Sequence, residues 1–259
     1  MKTNKSTALA VAIFTVISLA SSVLSAASTE PSVPVGTLTA FPTVVQTGTK
    51  PTLTWGITYP NVVTDVVSIT PTATSGGSTT TVTPKTNLVA DIRVLGAGVT
   101  SQDSRGNIIY YRTQGKIKYN GSSSYSVIFD GKQTDSIVQT QGILPLFTGI
   151  TVNRNQPMYF GGCYNIDNTT KSNNWYTFFN SESGSNVKAL VNGDPCPNYK
   201  TEYNAPTLES FLKPYLDSSN KIKIGPMDVI IFMELTTTRS TDAGYDFQDL
   251  VFLVTFRNP

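Results

Sequence analysis

Three aspartates near the C-terminus, Asp242, Asp246 and Asp249, stand at spacings of four and three, and Glu234 precedes them across a Thr/Ser-rich stretch. Carboxylates grouped in this way offer hard oxygen donors. Calcium takes roughly six to eight such oxygens in a flexible shell. The Gln248 side chain and turn carbonyls would add donors, and Gly244 would allow a tight turn. The pattern therefore predicts calcium as cofactor, held by Asp242, Asp246, Asp249 and Glu234. The competing reading is ordinary turn chemistry, because Asp side chains accept backbone N–H bonds and cap turns with no metal. The spacing is not that of an EF-hand loop.

The segment Glu234-Leu235, a polar gap, then Asp242 to Val251 with Tyr245-Asp246-Phe247 and Asp249-Leu250-Val251, resembles the acidic strand-turn motif of secreted bacterial β-rich proteins of unknown function. The resemblance implies surface or matrix association, with calcium as a ligand. Gln248 stands where that motif usually has Asn, and Ala243-Gly244 where an acidic residue could stand.

A second set of residues suits ligand stacking. Tyr159, Tyr164, Trp175 and Tyr176 cluster beside Asn-rich polar stretches, the composition a glycan-binding surface needs. The competing reading places these rings in the core.

The chain contains no His. That excludes a Ser-His-Asp triad, a Cys-His pair and an HExxH zinc helix. What remains is carboxylate, Lys or Tyr chemistry, or a non-catalytic role. A glycosidase needs two carboxyls facing across a cleft, and no spacing here singles out a pair. Phosphate-binding glycine loops are also missing, since Ser101 stands where the third glycine after Gly96 and Gly98 would be. Two cysteines, Cys163 and Cys196, predict one disulfide in an oxidising compartment.

Lys2 and Lys5, an apolar run from Ala8 to Leu24 and the small residues Ser25-Ala26-Ala27-Ser28 predict a secretory signal peptide over 1–27. The expected location is periplasmic, extracellular or on the cell surface, with no stable membrane insertion after cleavage. Loss of Lys2 and Lys5 leaves seventeen basic against seventeen acidic residues. A balanced chain has no electrostatic footprint for nucleic acid. The expected partner is an extracellular glycan or protein.

The elements that must position these residues read as mainly β. Short runs rich in Val, Ile, Thr, Tyr and Phe alternate with Gly, Pro, Asn and Ser. A tether is expected over 28–36 and a β-rich domain over 37–259, with an N-terminal subregion 37–71 set off by a loop over 72–86. Asn120-Gly121 predicts a hairpin turn. Asn120-Gly121-Ser122 and Asn168-Thr169-Thr170 also match the N-glycosylation pattern. In 207–217, Leu208, Phe211, Leu212, Tyr215 and Leu216 fall on one helical face, with Pro214 shortening it. Residues 227–235 and 250–256 are the most apolar and are expected to lie centrally. A β-sandwich or jelly roll is predicted; uneven strands argue against an outer-membrane barrel. Three functions follow as expectations: a non-catalytic surface, matrix or ligand-binding protein, a carboxylate-dependent polysaccharide hydrolase, or a subunit of an extracellular assembly.

Overall fold

A computed structural model describes residues 35–41, 52–58, 61–74, 77–135, 138, 146–197, 211–242 and 244–259. The expected signal peptide and most of the tether lie outside these residues. The fold is mainly β and sandwich-like. Its first sheet has five antiparallel strands: β10 (Phe147–Val152), β5 (Leu88–Gly96), β15 (Leu250–Arg257), β14 (Asp228–Met233) and β13 (Val187–Leu190), in that order. The second has four, in the order β12 (Phe179–Asn180), β11 (Tyr159–Tyr164), β8 (Thr113–Lys118) and β9 (Ser126–Gly131).

The two apolar runs expected at the centre become β14 and β15, flanked on both sides. Every residue of β14 is buried, and every residue of β15 but Arg257. The alternation of strand side chains explains this, because both faces are covered. Ile231, Phe252 and Ile92 face the four-stranded sheet and pack with Ile117, Phe129 and Phe160. Ile230, Phe232 and Leu253 point the other way and pack with Phe211, Leu212, Tyr215 and Ile222. The first core requires close approach at Gly115, where a Cβ would sit 2.2 Å from the Phe252 ring. Truncating Phe252 to Ala would cost about 3–5 kcal/mol.

The segment expected as a helix over 207–217 supplies the cover of the second core. Residues 207–210 lie outside the described set. The remainder forms one 3-10 turn, Lys213–Tyr215, with Pro214 at its start. Pro214 lacks the N–H that a longer helix would use.

Three further expectations are corrected. Val35 and Gly36 belong to β1 (Val35–Phe41), which pairs with β2 (Thr52–Thr58), so the tether does not reach 36. Val63–Val66, inside the expected β subregion 37–71, is a single helical turn, α1, and not extended. The loop expected over 72–86 is instead a hairpin of β3 (Val67–Thr74) and β4 (Gly77–Pro84). Its Thr residues are β-branched and suit an extended ladder, and Val82 anchors it in the core by bridging Met158. The remaining short strands, β6 (Thr100–Gln102) and β7 (Ile108–Tyr110), pair as a small hairpin.

At the turn between β8 and β9, Asn120 and Gly121 take φ of 52° and 72°, both left-handed. This is the backbone for which Asn-Gly is suited. The Asn120 amide is also occupied. Its Nδ2 donates to Thr151 O at 2.8 Å and its Oδ1 accepts from Asn153 N at 2.9 Å. Asn168 is similarly engaged, with Tyr110 O at 3.0 Å and Arg112 N at 2.9 Å. Both glycosylation-pattern Asn side chains therefore serve as structural braces.

Candidate functional site

The connection from β14 to β15, residues 234–249, carries the acidic motif. Glu234, Asp246 and Asp249 are brought together and buried, at 0%, 6% and 5% exposure. Asp242 stands apart and exposed. Glu234 follows β14 directly, where burial continues past the strand end. Its Oε1 accepts from Thr236 N at 2.9 Å, from the Thr236 hydroxyl at 2.5 Å and from Thr237 N at 3.2 Å. Its Oε2 accepts from Asp246 N at 3.0 Å and Phe247 N at 3.5 Å. Phe247 has φ of 61°, a left-handed backbone uncommon for a bulky residue, and the carboxylate helps to hold it. The Lys188 ammonium sits 4.0 Å from the centre of the Phe247 ring.

Asp249 Oδ2 accepts from Leu235 N at 2.6 Å. Burial pushes the Asp249 carboxyl well above the usual carboxylate range, and the neighbouring Glu234 and Asp246 carboxyls push it further. Asp249 also shares a side-chain hydrogen bond with Glu234. Asp246 accepts from Gln248 N at 3.1 Å and Gln248 Nε2 at 2.6 Å.

Contacts of this kind are what buried Asp and Glu side chains make when they cap turns. The oxygens that calcium would need already face N–H and O–H donors. Among the described residues no group of three acidic, thiol or imidazole side chains is arranged to hold a metal ion. Of the four expected ligands, Glu234, Asp246 and Asp249 are buried and Asp242 lies on the exposed rim.

The acidic connection shapes a trough at its own surface. Asn186, buried beside it, donates through Nδ2 to Glu234 O at 3.0 Å and Thr237 O at 2.7 Å. The Thr237 hydroxyl donates to Asp242 Oδ2 at 2.7 Å and accepts from Arg239 N at 3.1 Å. Residues 236–239 are thus fixed as a rim. Two cavities run along it. One, of about 270 Å3, is lined by Ser101, Tyr111, Tyr164, Ile166 and Thr236 among others. The other, of about 500 Å3, is lined by Tyr176, Phe179, Thr236 to Arg239 and Asp242 among others. Thr236 belongs to both. The Tyr164 and Tyr176 rings stack at 5.0 Å between centroids, 29° from parallel, at their junction. Tyr111 meets Tyr164 edge-on at 5.5 Å. Burial raises the pKa of the Tyr164 phenol, so it stays a neutral hydrogen-bonding group.

Tyr164 and Tyr176 therefore join the acidic motif in one place. Trp175 and Tyr159 do not line either cavity. Arg112 lies 4.8 Å over the Trp175 ring and pairs with Asp130 at 2.6 Å. Lys118 lies 4.8 Å from the Tyr159 ring and pairs with Glu182 at 2.5 Å. These cations belong to the outward face of β8 and its approach. Asn186, Thr236 and Tyr111 carry the trough without having been singled out from sequence. Their signal was weak, because a lone Asn or Thr has no pattern until Glu234 is placed beside it.

The expected disulfide is overturned. Both cysteines are free. Cys163 lies on β11 in the four-stranded sheet, whereas Cys196 packs against the core on the far face of the five-stranded sheet. The two sheets and the main core lie between them, and a disulfide needs Cα atoms within about 7 Å. Burial raises the pKa of the Cys163 thiol, and burial pushes that of Cys196 up to about 11. Both are poor nucleophiles.

Comparison with family models, with curated proteins and with solved structures gives no match.

Proposed function

We propose that the chain is an exported, non-catalytic β-sandwich protein that binds a polar ligand from the cell surface or matrix in the Tyr164–Tyr176 trough. Export rests on the charged start, apolar run and small-residue exit over 1–28. Binding rests on one observation: two stacked tyrosines, Tyr176 being 37% exposed, stand at the junction of two cavities whose rim is locked from beneath by Glu234. Concave sites with a few fixed polar groups are where small ligands bind. The absence of His and the burial of Glu234, Asp246 and Asp249 favour binding over hydrolysis. Among the described residues, Asp242 is the one carboxylate lining these two cavities. Calcium has no part in this reading, since the carboxyl oxygens already accept protein hydrogen bonds.

Amide-shift mapping with a library of small polar fragments tests the site. Hits are expected to gather at residues 164, 176 and 236–239. Hits confined to the separate cavity beside Val62 and Pro226, of about 360 Å3, would reject it. Mass measurement of exported protein, expected to start at Ser28, tests the delivery.

A subunit of an extracellular assembly is a second reading, favoured by the β1–β2 hairpin. It turns Trp55 and Ile57 to solvent at 70% and 57% exposure. Concentration-dependent association in sedimentation, lost in Trp55→Ser, would support it; a monomer at all concentrations would remove it.

A further inference from the structure

We infer that the ligand of the trough is a neutral oligosaccharide that spans both cavities, with Tyr176 as its stacking platform and Arg239 and Asp242 gripping its hydroxyls. The inference rests on the binding role proposed above and names the ligand's chemistry.

Four observations carry it. First, the cavities are of about 270 and 500 Å3 and share Thr236, so one ligand can occupy both in sequence. Their sizes suit small-molecule sites. Second, the lining is rich in hydroxyls: Ser101, Tyr111 and Thr236 to Thr238. A hydroxyl both donates and accepts, as each sugar hydroxyl does, so either ring of a chain of sugars finds complementary partners. Third, the charged groups on the rim are one cation and one anion, Arg239 and Asp242. A guanidinium only donates and a carboxylate only accepts. Lining one cavity, they offer a donor and an acceptor to sugar hydroxyls, and their charges balance, which gives an anionic sugar no advantage. Fourth, the Tyr164–Tyr176 stack presents an aromatic surface between the cavities. The apolar C–H face of a pyranose is flat and covers such a ring, while its edge hydroxyls stay free for the rim.

Preorganisation supports the same conclusion. Weak polar contacts give useful affinity only when the groups are held before the ligand arrives. Asn186 and Glu234 do this for the rim through five hydrogen bonds to residues 234–237. A protein partner would instead call for a desolvated apolar anchor pocket, and the walls here are hydroxyl-rich.

The test is calorimetric titration of the chain with cellohexaose, xylohexaose, mannohexaose and N-acetylchitohexaose, with heparin as the anionic comparison. At least one neutral hexasaccharide should bind. Tyr176→Ala and Arg239→Ala should each weaken it tenfold or more, and Tyr159→Ala, remote from the trough, should leave it unchanged. Thermal melts of each variant confirm folding. Failure of all four neutral probes, or binding by heparin alone, overturns the inference. If fragments still map to residues 164, 176 and 236–239 in that case, the groove reading survives and only the ligand class is wrong. Saccharide binding that is unchanged in both trough variants overturns both.

Discussion

Glu234 holds Thr236 twice, accepting its backbone N–H at 2.9 Å and its hydroxyl at 2.5 Å through the same carboxylate oxygen. A fully buried acid thereby sets the geometry of a solvent-facing rim. Removing one acceptor oxygen should show this. Glu234→Gln replaces one acceptor oxygen with an NH2 group that faces N–H donors. Buried donors left unsatisfied cost about 1–3 kcal/mol each. The variant should lose about 2–4 kcal/mol of stability in urea unfolding, with faster hydrogen exchange at amides 236 and 237. An unchanged midpoint would mean the rim does not depend on Glu234.

Asp249 gives the protein a specific pH dependence. Its carboxyl titrates well above the usual range because it is buried beside Glu234 and Asp246. A carboxyl of raised pKa binds its proton in the native state at pH values where the unfolded chain, titrating near about 4, has lost it. Its contribution is fully present below that value and is lost as pH rises through the native one. Asp249→Asn keeps an acceptor for Leu235 N and a donor for Glu234 without titrating. The variant should equal or exceed the parent in stability at pH 7 and should flatten the decline above pH 4. Unfolding curves from pH 4 to 8 check this; a parallel decline in both proteins would contradict it.

Much of the fold was legible because it depends on local pattern. Asn120-Gly121 marked its turn through φ, and residues 227–235 and 250–256 marked the central strands through continuous apolarity. The hairpin β3–β4 was hidden because Thr, Ser and Gly read as loop until Val82 is seen docking on Met158. Residues 207–217 showed the right buried face, Phe211, Leu212 and Tyr215, but Pro214 limits the described part to one turn. The acidic motif was visible as composition, yet its role was not. Spacing brought Glu234, Asp246 and Asp249 to attention, and only their placement shows that their oxygens face backbone donors.

Cysteine placement predicts redox indifference. Cys163 and Cys196 sit on opposite sides of the sandwich, and burial keeps both protonated. Dithiothreitol should leave the thermal midpoint unchanged, and a thiol reagent should titrate two groups after denaturation. A midpoint that falls on reduction would establish a disulfide and contradict the arrangement.

Calcium should also leave the protein unmoved. A ligand that binds only the native state raises the midpoint by mass action. With Glu234 and Asp249 engaged in protein hydrogen bonds, thermal melts in millimolar calcium and in EDTA should coincide. A rise with calcium that is lost in Asp246→Asn would restore the metal reading.

Ligand is proposed to bind in the trough over Glu234, between Tyr164 and Tyr176 and the 236–239 rim. The most direct measurement is the amide spectrum of the chain recorded with a saturating neutral hexasaccharide. Shifts should concentrate at residues 111, 164, 176 and 236–239. Shifts confined to the outer face around Tyr159 and Lys118, or none at all, would contradict it.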